Sequence, residues 1–237
     1  EGRQAFVATG TFGMAVVESA RFDEPVVLGQ LNLPGTNEDI AVNVNRGRAA
    51  VAGRGAGLHL VNITDLMEPT LIETIPLSGA HFVEIIDRTV YVATTNQIVA
   101  FDLVTGERFQ ALTVPGATIT GLAREGLFLY TMDRAGQLSV IDVSGFLMRV
   151  RGSVTVPDSR GKLTVGAGIV YAVYNSPRGG FSTVDVRDPE NPEVISGSDA
   201  PNTSIPGTAF AANGSGLGVL VGQALRVNGD PSQLMLL

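Results

Sequence analysis

Short apolar runs, separated by glycine, proline and polar turns, follow one another along the whole chain. One phrase recurs, as LHLVNI from Leu58, IVAFDL from Ile98, LSVIDV from Leu138 and FSTVDV from Phe181, with a divergent copy MAVVES from Met14 and a broken copy LMLL from Leu234. Its fourth residue falls at positions 40 to 53 residues apart: Val17, Val61, Phe101, Ile141, Val184 and Leu237. Periods of this length are typical of propeller blades or of helical repeats.

The residue types decide between these two kinds of repeat. Each unit contains short runs rich in Val, Ile, Leu, Tyr and Thr, and none has apolar residues at helical spacing. In the second unit these runs are IAVNV, RAAVA, LHLVNI and TLIETIPL. The pattern predicts an all-β fold, a β-propeller built from four-stranded antiparallel blades. In LSVIDV, the mixed order of apolar and polar residues indicates a strand covered on both faces.

The two ends of the chain hold incomplete units. The first unit lacks its first strand and the sixth lacks its fourth, so about six blades with 22 strands are predicted. Either the missing strands are shared to close one ring, or the ring continues with further blades. We expect residues 1–237 to form a single propeller domain, or most of one, and to be a segment of a longer polypeptide, because an uncapped terminal repeat exposes core surface.

Two stretches carry a family resemblance. VDVRDPENP, from Val184 to Pro192, resembles the LVIVD-repeat propellers of bacteria and archaea, and NITDLMEP, from Asn62 to Pro69, is a looser copy. VYVATTNQIVAFDLVTGE, from Val90 to Glu107, is similar to YVTN-like surface propellers. The third and fourth units lack the Asp-Pro turn. The resemblance implies a module of an exported or surface-anchored protein, and it brings no shared catalytic motif.

The charge balance and the lack of cysteine narrow the partners and the chemistry. The net charge is −7, and Lys162 is the only lysine. No basic patch is visible in the sequence, so neither nucleic acid nor an anionic membrane surface is a predicted partner. Disulfides and thiolate metal sites are excluded, because the chain has no cysteine. We expect an extracellular or cell-surface location in bacteria or archaea, with the periplasm as the alternative.

The candidate binding residues lie before the predicted first strands, in loops that open onto the channel face of a propeller. They are Asn37, Glu38 and Asp39 in TNED, His81 in SGAHF, and Arg160 in DSRGK. The acidic group would attract a cation or a basic partner, and Arg160 an anion. Turn chemistry and solvation are the favoured explanation for each of these residues.

Other motifs predict no catalytic residue, metal site or cofactor. His59 lies among apolar neighbours and is interpreted as a packed residue. DRAGQ, from Asp133, lacks the spaced acidic ligands of an EF-hand, and a turn closed by Gly136 explains it. GRGAG, from Gly53, has no helix behind it to hold a phosphate. Of the three glycosylation sequons, at Asn62, Asn202 and Asn213, the first lies at a strand end.

Three functions are consistent with these observations. The leading hypothesis is a non-catalytic module of a large exported or cell-surface protein, a structural or adhesive scaffold for a protein or glycan partner. The alternative is a propeller enzyme or cofactor-binding domain, such as a lyase, hydrolase or quinoprotein-like dehydrogenase, with its site at the channel mouth. The third hypothesis is self-assembly of propellers with other domains of the same long chain.

Overall fold

The chain folds into antiparallel sheets in the computed structural model, which describes residues 4–21, 23–116, 118–157, 159–174, 181–195, 209–212, 218–222 and 233–236. These residues form 22 strands and one short 3-10 turn, Val44–Arg46, and no α-helix. The strands are arranged in six sheets, four of four strands and two of three. The predicted number of strands, with an incomplete first and last unit, is confirmed for the described residues.

The strands fall into two compact units, Glu1–Thr113 and Val114–Leu237. The first unit contains sheet 1 (β1 Gln4–Ala8, β2 Met14–Glu18, β3 Val26–Leu31), sheet 2 (β4 Thr36–Asn43, β5 Arg48–Arg54, β6 Gly57–Asn62, β7 Thr70–Ile75) and sheet 3 (β8 Phe82–Ile86, β9 Thr89–Ala93, β10 Gln97–Asp102, β11 Arg108–Thr113). In each sheet, consecutive strands pair with one another in an antiparallel meander.

The second unit contains the other three sheets. They are sheet 4 (β12 Ile119–Glu125, β13 Phe128–Asp133, β14 Gln137–Asp142, β15 Arg149–Thr155), sheet 5 (β16 Ser159–Gly166, β17 Ile169–Tyr174, β18 Phe181–Asp185, β19 Glu193–Val194) and sheet 6 (β20 Ala209–Ala212, β21 Gly218–Gly222, β22 Gln233–Leu236). Sheets 4 and 5 have four strands and sheet 6 has three, again in sequence order.

Sheets 1, 2 and 3 pack face to face in succession, and so do sheets 4 and 5. In β5, Ala49 and Val51 pack towards sheet 1, whereas Ala50 and Ala52 pack towards sheet 3. Sheets 4 and 5 share a similar core that includes Met132. The third strand of sheet 4 is buried along its centre on both faces, as the mixed pattern of LSVIDV predicts.

The first strands of neighbouring sheets lie side by side. In the first unit β4 lies next to β8, and in the second unit β16 lies between β12 and β20. The fourth strands β7, β11 and β15 are the exposed ones. Repeated four-stranded meanders, with leading strands together and trailing strands exposed, are consistent with a propeller-like arrangement.

Two boundaries differ from the sequence prediction. Thr36–Asp39 and residues 159–162 are predicted as loops, but they form the beginnings of β4 and β16. Both stretches contain register irregularities, between Asn37 and Asp39 and between Ser159 and Leu163. Polar residues therefore begin these strands at β-bulges, which tolerate side chains that a regular buried strand does not.

Candidate functional site

A carboxylate, a guanidinium and an imidazole meet where the first strands of sheets 2 and 3 begin. Glu38 is the bulged residue of β4, since Asn37 pairs with Gly53 and Asp39 pairs with Ala52. Arg54 ends β5, and His81 immediately precedes β8. The bulge turns Glu38 out of the strand ladder and towards both partners. We call these three residues the charged triad.

The carboxylate of Glu38 holds the charged triad together. Its Oε1 lies 2.8 Å from Nη2 of Arg54, and its Oε2 lies 2.9 Å from Nδ1 of His81. Nη2 of Arg54 also lies 3.2 Å from Nδ1 of His81. Because guanidinium nitrogens only donate, the carboxylate is the common acceptor, and the short contact assigns the imidazole proton to Nδ1. In the neutral ring, the lone pair then belongs to Nε2.

The charged triad is accessible to solvent in different degrees. The side chain of Arg54 is 58% exposed, that of Glu38 26% and that of His81 22%. The backbone of His81 is held in place, because its N–H donates to the carbonyl of Ala93 at 3.0 Å. The geometry presents guanidinium N–H donors and an ordered imidazole on one surface, which suits recognition of a polar or charged partner.

The other two acidic-loop candidates have structural roles. Asn37 is buried, and its Nδ2 donates to the carbonyls of Gly10 at 2.9 Å and Leu33 at 3.3 Å. Asp39 accepts the backbone N–H of Val83 through Oδ2 at 2.9 Å and so ties sheet 2 to sheet 3. Of the TNED residues, Glu38 is therefore the one that joins His81 in the site.

Arg160 lies in the second unit, exposed in the bulged beginning of β16. Arg54 is not predicted as a site residue from the sequence, because the segment GRGAG that contains it carries no motif, whereas the structure places it at the end of β5. Arg54 pairs with Thr36 across the two strands, which brings the end of β5 to the start of β4. The position of Arg54 beside Glu38 can therefore be predicted only when the register of β4 with β5 is known.

His59 is a packed residue, as its apolar neighbours predict. The side chain is fully buried, with Nδ1 2.9 Å from Oγ1 of Thr74 and Nε2 3.0 Å from the carbonyl oxygen of Pro34. Burial lowers the pKa of His59, and the hydrogen bond to Pro34 opposes this only in part. The ring is therefore held neutral, with Nε2–H donating to Pro34.

In the remaining motifs, polar side chains accept backbone N–H groups and so close turns. Oδ1 of Asp133 accepts the N–H groups of Ala135 and Gln137, each at 2.8 Å, and Gly136 has a φ of 86°. Asn62 caps its own turn by accepting the N–H of Thr64 at 3.1 Å. The sequons at Asn202 and Asn213 lie outside the described residues.

The described residues contain neither a metal-binding group nor a membrane-spanning helix. In that part of the chain, no group of three or more His, Asp or Glu residues is placed to hold a metal ion. None of its helical segments has the length and apolar character needed to cross a membrane.

Comparisons with known proteins give the fold and no family. No family model matches the chain, and no curated protein matches it. The LVIVD resemblance therefore stays a prediction. Among solved structures, the chain is similar to a functionally unknown protein from Desulfotomaculum acetoxidans DSM 771, with 13% identity and a TM-score of 0.74 over 93% of this chain and 76% of that one.

A second solved structure is a designed protein. The chain is similar to the computationally designed Ika8 protein, with 12% identity and a TM-score of 0.68 over 94% of this chain and 66% of that one. At these identities, the two likenesses establish the all-β fold alone.

Proposed function

We propose that this chain is a non-catalytic β-propeller module of a large exported or cell-surface protein, and that it acts as a scaffold for a protein or glycan partner. The sheets would be its blades, six in number, with the first and last incomplete. The ring would close either by sharing the missing strands or through further blades. The repeated meanders with adjacent first strands support this architecture.

The observation that carries the binding role is the charged triad. Its members satisfy one another at the bulged start of β4, so the partner would meet a preordered surface rather than flexible side chains. Preordering reduces the entropy lost on binding. The exposed guanidinium of Arg54 supplies N–H donors that match carboxylate or vicinal hydroxyl oxygens.

A binding experiment tests this role directly. The purified chain is screened against arrays of glycans and peptides, and each hit is measured again with Glu38→Gln and Arg54→Gln. We expect each variant to weaken the hit at least tenfold, while Glu68→Gln, an exposed carboxylate in the β6–β7 turn, leaves it unchanged. Hits that ignore both site variants, or the absence of any hit, would refute the binding role.

A second candidate function rests on one contact. The Glu38–His81 pair is a carboxylate-oriented imidazole near the start of the first strands, which is the arrangement an enzyme uses for a general base. Such a chain would turn over an ester, a glycoside or a lyase substrate. Turnover by the wild-type chain that His81→Gln abolishes would establish this candidate and overturn the non-catalytic proposal.

A further inference from the structure

The charged triad contains a group whose charge changes near neutral pH. Imidazole is the side chain that ordinarily gains or loses its charge between about pH 5 and 8. With the ring of His81 neutral, the triad has one cation, Arg54, and one anion, Glu38, whose contact of 2.8 Å compensates both charges. A proton on the ring adds a second cation and changes Nε2 from an acceptor to a donor. Acidification therefore alters both the charge and the hydrogen-bonding pattern of this surface.

The other charged groups around His81 in the first unit are few. Asp39 lies at the same junction, where it accepts a backbone N–H of β8. The β9–β10 hairpin, whose Ala93 carbonyl holds the His81 backbone, has no charged residue in positions 89–97, and Glu84 is the next charged residue along β8. With Asp39 included, two carboxylates face one cation when the ring is neutral and two cations when it is protonated. Protonation thus removes the local excess of negative charge.

Protonation also brings two cations close together. Nη2 of Arg54 lies 3.2 Å from Nδ1 of His81, and both nitrogens share the carboxylate of Glu38. Like charges at this separation cost free energy where water screens them poorly, and the side chain of His81 is only 22% exposed. The triad contacts of Arg54 are made by Nη2, whereas a guanidinium group has five N–H donors. An anion bound against Arg54 and Nε2 of His81 would remove this repulsion.

We propose that the charged triad is an acid-activated carboxylate site, and that its ligand is a single terminal acidic sugar of a glycan partner. The proposal rests on the binding role proposed above and gives that role a ligand class and a pH dependence. One carboxylate suits the site, because further anionic groups would meet Glu38, Asp39 and a chain of net charge −7. Charge-assisted hydrogen bonds from a guanidinium and an imidazolium hold the carboxylate, and the sugar hydroxyls can donate to Glu38.

The test compares ligands that differ by one carboxylate. Sialyllactose and methyl glucuronide are the acidic probes, lactose and methyl glucoside are their neutral counterparts, and acetyl-trialanine with a free carboxyl group is the peptide comparison. Affinities are measured by NMR titration at pH 5.5 and pH 7.5. The probe carboxyl groups stay ionised at both, since carboxyl groups titrate at about pH 4 or below. Melting temperatures at both pH values establish that each protein is folded.

We expect the wild-type chain to bind both acidic sugars roughly tenfold more tightly at pH 5.5 than at pH 7.5, which is an ordinary size for coupling between two binding events. His81→Gln keeps a side-chain donor but cannot be protonated, so its affinity should change less than about twofold between the two pH values. The other histidine, His59, is retained in this variant, so its titration is controlled for. Arg54→Gln should weaken binding at both pH values.

Arg46→Gln is the matched control for the loss of one arginine. Arg46 is exposed in the turn between β4 and β5, at the opposite end of β5 from Arg54. Its replacement removes the same charge from the chain without touching the charged triad. We expect this variant to reproduce the affinities and the pH dependence of the wild-type chain.

Proton uptake gives a second measurement that does not depend on comparing affinities. If protonation of His81 strengthens ligand binding, the ligand must strengthen protonation by the same factor. Binding of sialyllactose at pH 6.5 should therefore take up protons. Calorimetry detects this as a dependence of the binding enthalpy on the ionisation enthalpy of the buffer, and His81→Gln should abolish it.

Four outcomes would overturn the proposal: affinity for the acidic sugars that does not rise at pH 5.5, a rise that His81→Gln retains, no binding of either acidic sugar, or tighter binding of acetyl-trialanine. Array hits that depend on Glu38 and Arg54 would then still support the binding role and would limit the failure to the acid-activated site. Loss of those hits as well would refute both proposals.

Discussion

A side-chain cap closes the turn after each of several third strands. The residue at the strand end accepts, through Oδ1, the N–H of the residue two positions later, in the pairs Asn62–Thr64, Asp102–Val104, Asp142–Ser144 and Asp185–Arg187. This is the Asx-turn geometry of short polar side chains. The acidic residue of the repeated phrase is therefore explained by local structure, and it is not free for binding chemistry.

Asp102 makes this cap sensitive to acid. Partial burial raises the pKa of Asp102, but hydrogen bonds from the Thr105 N–H, the Arg88 side chain and the Val104 N–H outweigh it and hold the pKa at about 2. The Arg187 side chain, with its backbone N–H, likewise holds the pKa of Asp185 at about 2. Because these values lie below that of the unfolded chain, the stabilisation is present above about pH 4 and is lost as the pH falls towards 2.

Asp102→Asn keeps the Oδ1 acceptor and removes the charge. We expect it to lower the free energy of unfolding at pH 7 by on the order of 1 kcal/mol, because a partly exposed charged pair contributes little more. Urea denaturation at pH 7, 4 and 2 measures the difference, which should shrink towards zero at the lowest pH. A difference that stays constant from pH 7 to pH 2 would contradict the role of the charge.

His59 titrates in a different range. Burial lowers the pKa of His59 below the ordinary 6.5, so the unfolded chain binds a proton at this ring more readily than the folded chain does. The free energy of unfolding therefore decreases as the pH falls below about 6.5. We expect the His59 ring signals in an NMR titration to have a midpoint below 6.5, with His59→Gln used to assign them. A midpoint at or above that value would show that the ring is not desolvated as the structure describes.

The fourth strands share one irregularity. The strand register skips one residue at the same place in sheets 1 to 4, leaving Leu28, Ile72, Phe109 and Arg151 as the bulged residues. The next residue is glycine in β3 and β15, at Gly29 and Gly152, but Glu73 in β7. Bulges therefore bend the exposed outer strand at a fixed point in each of these four sheets.

At these glycines, the turn between the third and fourth strands of the following sheet packs directly against the strand backbone. A Cβ on Gly152 would lie 2.6 Å from the carbonyl oxygens of Pro189 and Glu190, and one on Gly29 would lie 2.4 Å from that of Leu66. In sheets 2 and 3 the arrangement is reversed, because the glycine is in the turn: a Cβ on Gly106 would lie 2.7 Å from Oε2 of Glu73. The glycine thus lies in the strand in two of these contacts, at Gly29 and Gly152, and in the turn in the third, at Gly106.

Gly152→Ala tests this packing in the second unit. The new methyl group would overlap backbone carbonyls that cannot move aside, so we expect a loss of about 1–3 kcal/mol in the free energy of unfolding. Gly166→Ala is the matched control in the same unit, since its Cβ would meet no atom within 4 Å. Chemical denaturation measures both variants, and equal stabilities would refute the close approach of turn and strand.

At the scale of the whole molecule, the acidic charge balance governs solution behaviour. The net charge is −7 at pH 7, and the isoelectric point of the sequence is about 4.8. Net charge keeps molecules apart, and this repulsion disappears at the isoelectric point.

We therefore expect the solubility of the purified chain to pass through a minimum near pH 4.8. Light scattering of a concentrated sample across pH 4 to 8 measures it, with 0.5 M salt as the control for screening. Scattering that rises steadily down to pH 4 without a minimum in solubility would indicate unfolding rather than loss of net charge.

Local sequence patterns are enough to predict the repeat, the strand type and the number of strands. Alternating and continuous apolar runs of 4 to 8 residues, bounded by turn residues, carry that information locally. His59 could be placed in the core and Asp133 in a turn for the same reason. The polar starts of β4 and β16 were misjudged as loops, because a bulge depends on pairing with the neighbouring strand.

Which charged residues meet depends on contacts between strands and sheets that a local pattern does not contain. Glu38 and His81 are 43 residues apart, and their contact with Arg54 depends on the register of β4 with β5 and on the packing of sheet 2 against sheet 3. The local pattern of apolar and polar residues determines where strands form. Register and sheet packing are non-local, and they determine which side chains meet at the ends of the strands.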